Sequence, residues 1–323
     1  MSLTILTAIA FAVAIFMGIN IGGNNAAASM GAAYGAKART KNQAVILIAV
    51  FAFLGAILSG GEVIKTLGHG IVPGDSITVT AAIIAIAAAG ISMFFANMIK
   101  VPISTSQAAV GAVAGIGFYV GILNTQVLLM IISWWIVTPI VAFVLAYIMG
   151  KYLHPIILFW LVDHESEERI RNIISILLTI SGCYVAYSAG ANNAANAVGP
   201  LVGAGVMSAG TGAVLGGLAI GLGAILLGSR VLETVGNDIT ELCVVRAVFV
   251  EFVAAFIVHS ASIMGIPVSL GEIVTASIIG IGCANQGLVA TKNDTVKRIL
   301  TMWFVSPVIA GTMTFLALMA LGL

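Results

Sequence analysis

The sequence predicts an all-α polytopic membrane protein, with about ten membrane elements in two inverted-topology repeats and with broken helices or hairpins at mid-membrane. Three observations carry that prediction. Of 323 residues, 60% are hydrophobic and only 8% charged, and the mean hydropathy is +1.16. A soluble domain has about a quarter of its residues charged, so this chain lacks the surface chemistry to stay in water. Apolar runs long enough to cross a bilayer recur from end to end. The third observation is that the sequence repeats itself at a fixed offset.

Composition also excludes several functions. The net charge of +1 is spread along the chain, leaving no basic stripe for a nucleic-acid backbone. Cys183, Cys243 and Cys283 show no CxxC spacing, and His69, His154, His164 and His259 show no paired ligand spacing. Neither a disulfide nor a metal site is expected. No nucleophile–base–acid set appears either, so an enzyme is not expected, and no cofactor beyond a co-transported proton or sodium ion.

Charges and turn residues bound the elements. The first, near 3–21, lacks the basic start and cleavage site of a signal peptide and is expected to remain as a span. The others lie near 44–59, 77–99, 104–122, 127–149, 173–190, 213–228, 243–265, 269–284 and 299–322. The segment PIILFWLV at 155–162 is too short to cross; it extends the fifth element or lies at the interface. If all ten cross, Lys37, Arg39, Lys41, Lys100, Lys151, Arg169, Arg171, Arg230, Lys292, Lys297 and Arg298 share one side, against Lys65 on the other. The positive-inside rule then predicts a multi-pass protein of the cell membrane with both termini outside. The elements opening at Pro102 and Pro267 either span or re-enter.

Sliding the chain by 168 residues lays 22–68 over 190–236 without a gap and matches 18 of 47 positions. GGNNAAASMG at 22–31 falls on GANNAANAVG at 190–199, and LGAILSGGEVIKT at 54–66 on LGAILLGSRVLET at 222–234. VPISTSQ at 101–107 resembles IPVSLGE at 266–272, and WWIVTP at 134–139 resembles MWFVSP at 302–307. The expected organisation is a first repeat over 1–151, a cytoplasmic linker over 152–172 and a second repeat over 173–323. Five crossings per copy would turn the second upside down, the arrangement of secondary transporters whose substrate sits at the repeat interface.

The twin GxNNAA motif puts amides where unsatisfied polar groups are costly. Asn24, Asn25, Asn192, Asn193 and Asn196 are expected to line a cavity along broken backbone; interhelical hydrogen bonding is the plainer alternative. The second motif reads as a pair of helix starts, with Ser104, Thr105, Ser106 and Ser269 capping and free amides facing an anion. Glu272 stands where the first copy has Gln107, and this pair is the candidate for proton coupling. Glu62 with Lys65, and Arg230 with Glu233, have the spacing of helix-face ion pairs. Gly111 with Gly115 and Gly217 with Gly221 have the spacing of close helix packing.

With these motifs the chain resembles the inorganic phosphate transporter (PiT) family, and within it the bacterial sulfate permease branch. The family's signature G-A-N-D-x-A-N-A is matched by both asparagine motifs, with Asn25 and Asn193 at the Asp positions and Ala28 in place of the last Asn of the first copy. Gln107 and Glu272 stand where the family often has His after P-x-S-T-[TS]. The resemblance implies symport of a tetrahedral oxyanion, cation coupling and commonly a homodimer. Sulfate only accepts hydrogen bonds, whereas hydrogen phosphate can donate one to a carboxylate, so amides at both Asp positions favour sulfate. Loss of those carboxylates argues against sodium and leaves protons as the expected partner. The alternatives are a phosphate transporter coupled to sodium or protons and, from another class, an anion channel or non-transporting scaffold.

Overall fold

The computed structural model describes residues 3–98, 103–236, 244–286 and 294–322. Lys100, Pro102, Cys243 and Lys292 lie outside the described residues. Helices α1 (Leu3–Gly35) and α2 (Lys41–Ser59) lead through short α3 (Gly61–Lys65) and a π-helical turn to α4 (Val79–Met98). Then come α5 (Thr105–Val120), α6 (Thr125–Ile148) and α7 (His154–His164), which continues from α6 through a π-helical turn. The second half comprises α8 (Glu167–Gly203), α9 (Ala209–Leu226), α10 (Gly228–Gly236), α11 (Val244–Ile263), α12 (Leu270–Gln286) and α13 (Asp294–Leu321). Among the described residues seven helices are long and apolar enough to cross a membrane, and shorter apolar helices occupy 105–120, 270–284 and 305–321. Together they fall on the ten expected elements, as befits a nearly all-helical multi-pass membrane protein.

One expectation about the backbone is corrected. The chain does not break at the asparagine motifs. Helix α1 runs 33 residues and α8 runs 37, each carrying its motif inside a continuous helix. At 1.5 Å per residue these rods are about 50 and 55 Å long, well beyond a hydrocarbon core of ~30 Å. Alanine between the asparagines sustains the helix, and in α8 every residue from Ser188 to Gly203 is buried by neighbours. The break falls instead ahead of α5 and α12. Ser104 Oγ accepts from Gln107 N (3.3 Å) and Ser269 Oγ from Glu272 N (3.4 Å), so both helices start in the buried interior behind a serine cap.

The 168-residue offset reappears in the helices. Helix α1 ends at 35 and α8 at 203; α2 begins at 41 and α9 at 209. The turns between them share a left-handed residue, Lys37 (φ 57°) and Gly205 (φ 71°), and a hydroxyl N-cap, Thr40 and Ser208. Packing is reciprocal. A methyl group at Gly22 would lie 1.9 Å from the Ile220 carbonyl oxygen, and one at Gly190 would lie 1.9 Å from that of Ala52, the repeat mate of Ile220. Where the copied helices α2 and α9 meet, Ala49 faces Gly221 while Phe53 and Ala56 face Gly217, so the two run antiparallel.

Gly111 and Gly115 likewise sit against Pro307 and Gly311 of α13, which agrees with the close-packing expectation. Of the expected ion pairs, Glu62 bonds Lys65 (2.7 Å), whereas Glu233 bonds Lys41 of the other half (2.6 Å). Cys183 and Cys283 are buried free thiols.

Candidate functional site

Elements from both halves meet at the second asparagine motif, α8 of the second half and the start of α5 of the first. Asn193 and Asn196 lie one turn apart on α8, and the start of α5 is placed against them. Asn193 Oδ1 accepts from Thr105 Oγ1 (3.1 Å), Ser106 Oγ (3.1 Å) and Asn196 Nδ2 (2.9 Å). Asn196 Nδ2 also reaches Ser106 Oγ (3.2 Å). From α12, Glu272 comes close to Gln107, its repeat mate. Gln107 Oε1 in turn accepts from Ser306 Oγ of α13 (3.5 Å). The cluster is closed to solvent: Asn193 and Asn196 are 1% exposed and Glu272 3%.

Asn25 of α1 is buried too, while Asn24 is half-buried. Asn192 faces elsewhere. Its Nδ2 donates to Ser262 Oγ (3.0 Å) and the Ile266 carbonyl (3.1 Å), and its Oδ1 accepts from Val268 N (3.0 Å). That amide is fully used in tying α8 to the link between α11 and α12, which Trp135 Nε1 also holds through the Pro267 carbonyl (2.9 Å). Sequence reasoning passed over Ser262, Ser306 and Trp135. Ser306 was findable, since it is the repeat mate of buried Thr138 in the paired WWIVTP and MWFVSP segments.

Four atoms of the asparagine motifs and Glu272 are buried with no hydrogen-bond partner among the described residues: Asn25 Nδ2, Asn193 Nδ2, Asn196 Oδ1 and Glu272 Oε1. Leaving such a group unpaired costs about 1–3 kcal/mol, so each of these atoms calls for a physical explanation. Two are amide donors. Each of α5 and α12 adds the equivalent of about half a positive charge at its N-terminus. No Lys or Arg occurs in α1, α5 or α12, so any anion here is met by dipoles and donors. No group of His, Cys, Asp or Glu able to hold a metal occurs among the described residues.

This combination of duplicated, buried amide motifs and paired helix starts coincides with a known family. A family model described as the phosphate transporter family matches residues 21–314. The chain belongs to the phosphate transporter family. Among its relatives, the sulfate permease CysP of Bacillus subtilis (strain 168) is 42% identical over 303 residues, covering 94% of this chain and 84% of the relative. A putative phosphate permease of Pyrococcus furiosus is 31% identical over 385 residues, covering 93% of each. A solved structure described as the sodium-dependent phosphate transporter superposes with a TM-score of 0.83 at 25% identity, covering 98% of this chain and 99% of the other. The protein is therefore a transporter of the phosphate/sulfate permease family, and the resemblance read from its motifs holds.

Proposed function

We propose that the protein is a symporter that imports a tetrahedral oxyanion, with sulfate as the substrate and protons as the coupling ion. The observation that carries this reading is the pair of buried, unpartnered amide donors, Asn25 Nδ2 and Asn193 Nδ2, at the positions where the family signature has Asp. A fully deprotonated dianion offers only acceptors, and a neutral amide meets it without like charge. Asn193, Asn196, Thr105, Ser106 and Asn25 supply the polar surface, and the capped starts of α5 and α12 at Ser104 and Ser269 orient free amides. Asn192 acts as a positioning residue through its clamp on Val268 and Ile266, and Asn24 flanks the same motif.

Energetics favours an accompanying cation. A dianion entering a negative-inside cell works against about 4.6 kcal/mol per 100 mV, twice the single-charge figure. Glu272 is the carboxylate placed to carry a proton, in contact with Gln107 and with one oxygen unpartnered. Sodium prefers anionic oxygen ligands, and both signature positions here are amides. A second reading, phosphate carried with sodium, is favoured by the description of the solved neighbour and by the two unpartnered oxygens, Asn196 Oδ1 and Glu272 Oε1.

Uptake into proteoliposomes separates the readings. Sulfate uptake driven by an inward proton gradient, unaffected by sodium and weakly inhibited by phosphate, is the expected result. Sodium-driven phosphate uptake without sulfate uptake would replace it. Trans-stimulated exchange sets a carrier apart from a channel or scaffold. In the same assay Glu272→Gln should flatten the pH dependence of uptake, and a wild-type profile would remove Glu272 from coupling.

The reading also includes inverted repeats over 1–151 and 173–323 joined through 152–172, both termini outside, a location in the cell membrane, and a homodimer. Reciprocal glycine contacts and the antiparallel run of α2 against α9 support the inversion. Single cysteines at the mated turns, Lys37→Cys and Val206→Cys in a cysteine-free background, should react with an impermeant reagent from opposite faces, the first from inside. Labelling of both from one face would rule the inversion out.

A further inference from the structure

A second carboxylate is buried away from the asparagine cluster. Glu251 of α11 is 5% exposed, and the Ser181 hydroxyl of α8 bonds its Oε2. Helix α11 follows α8 in parallel along a polar seam. Beyond Ser181 and Glu251, Ser188 Oγ donates to the Ala255 carbonyl (3.0 Å) and Asn192 Nδ2 to Ser262 Oγ (3.0 Å). The seam therefore ends at the residue next to Asn193. In the other direction a crevice of about 710 Å³ reaches Leu178, whose carbonyl also lies within reach of Ser181 Oγ (3.3 Å). Lys37 and Arg171 stand on the crevice wall with Glu167, on the face that the lysine and arginine distribution assigns to the cytoplasm.

Ser181 suits both protonation states of its partner. When Glu251 is ionised, the hydroxyl donates to the carboxylate. When Glu251 is neutral, its own O–H donates to Ser181 Oγ, and the serine proton turns to the Leu178 carbonyl. No charge need be left stranded in either state.

The surroundings of Glu251 are poor in charge. From α8 it faces Ser181, with Tyr184 one turn on and Cys183 nearby, and Arg39 of the turn between α1 and α2 also acts on Cys183. Helices α1 and α6 carry no Asp, Glu, Lys, Arg or His, only Tyr34 and Tyr147 as titratable groups. Helix α2 offers Lys41, paired with Glu233, and α3 offers Glu62 and Lys65, paired with each other. Helix α7 contributes His154, Asp163 and His164, the π-helical turn before it Lys151 and Tyr152, α12 Glu272 and Cys283, and α11 itself Arg246 and His259. Glu251 also departs from the repeat. At the 165-residue offset that pairs Glu272 with Gln107, it falls on Ile86, so both buried carboxylates belong to the second copy alone.

We propose that Glu251 is a second proton-exchanging carboxylate of the transport cycle, so that with Glu272 two protons accompany each dianion. The step is a bare proton transfer: the Glu251 carboxylic acid loses its proton to water in the crevice, becomes a carboxylate, and is reprotonated before the next cycle. This assignment rests on the reading of the protein as a proton–sulfate symporter.

The test uses the purified full chain in proteoliposomes and reads the proton-to-sulfate ratio and the response to an imposed membrane potential. Wild type is expected to move about two protons per sulfate and to be indifferent to potential. Glu251→Gln, which keeps the size and a donor toward Ser181, is expected to move about one, and its uptake to be slowed by a negative interior. Ser181→Ala is expected to keep the ratio and shift the pH midpoint of uptake. A wild-type ratio and indifference to potential in Glu251→Gln overturn the assignment; if that variant fails to reach the membrane, a wild-type pH midpoint in Ser181→Ala overturns it. Wild type without proton-driven sulfate uptake would instead overturn the transport reading on which it rests.

Discussion

Asn193→Asp should weaken sulfate uptake by at least about 100-fold. The side chain is isosteric and keeps its Oδ1, so the three bonds from Thr105, Ser106 and Asn196 survive. What changes is the unpartnered Nδ2, which becomes a second acceptor oxygen bearing charge. Two unit charges about 4 Å apart repel by about 4 kcal/mol at an effective dielectric of 20, about three decades in affinity, and sulfate carries two. Protonation of the new carboxyl relieves part of that repulsion. Sulfate uptake by the variant should therefore recover as the pH falls, because the neutral acid donates where the amide did. Phosphate should inhibit the variant more strongly than wild type, since hydrogen phosphate can donate to the carboxylate. Initial rates of labelled sulfate uptake against pH, with and without phosphate, decide the matter. An unchanged apparent affinity would remove Asn193 from the substrate's contact surface.

Much of this arrangement was legible in the sequence because it depends on patterns a membrane enforces. Apolar runs have to match bilayer thickness, so the ten elements could be located, and a duplicated sequence folds into duplicated helices, so the offset of 168 reappeared at the ends of α1 and α8. The serine caps of α5 and α12 were equally local. Continuity of α1 and α8 through the asparagine motifs was not legible. A run of Gly, Ala and Asn looks like a helix end when read alone, and it stays helical because neighbouring helices bury it and, in α8, partners far along the chain take up part of its amides. The role of Asn192 depends on Ile266 and Val268, and no spacing rule connects residues so distant. Glu251 was silent for the same reason: its partner Ser181 lies on another helix, and the first copy offers no counterpart for comparison.

Gly190→Ala should destabilise the folded transporter more than almost any other single-methyl addition. The new Cβ would stand 1.9 Å from the Ala52 carbonyl oxygen and 2.6 Å from Ala52 Cα, atoms of a helix backbone with no rotamer to yield. Helices α2 and α8 would have to part, and overpacking of this kind costs about 1–3 kcal/mol, occasionally more. Gly190 lies within one turn of Asn192 and Asn193, so the same displacement loosens the clamp on Val268 and the cluster against Thr105. Transport should fall along with thermal stability in detergent. Gly22→Ala provides the decisive comparison, because its Cβ would meet the Ile220 carbonyl oxygen at the same 1.9 Å. If the two copies pack against each other reciprocally, both variants lose stability by similar amounts, whereas Gly61→Ala, with nothing within 4 Å of its added methyl, stays close to wild type. Loss of stability in one twin with full stability in the other would mean that the two halves do not share their contacts, and the proposed inversion of the repeats would lose that support.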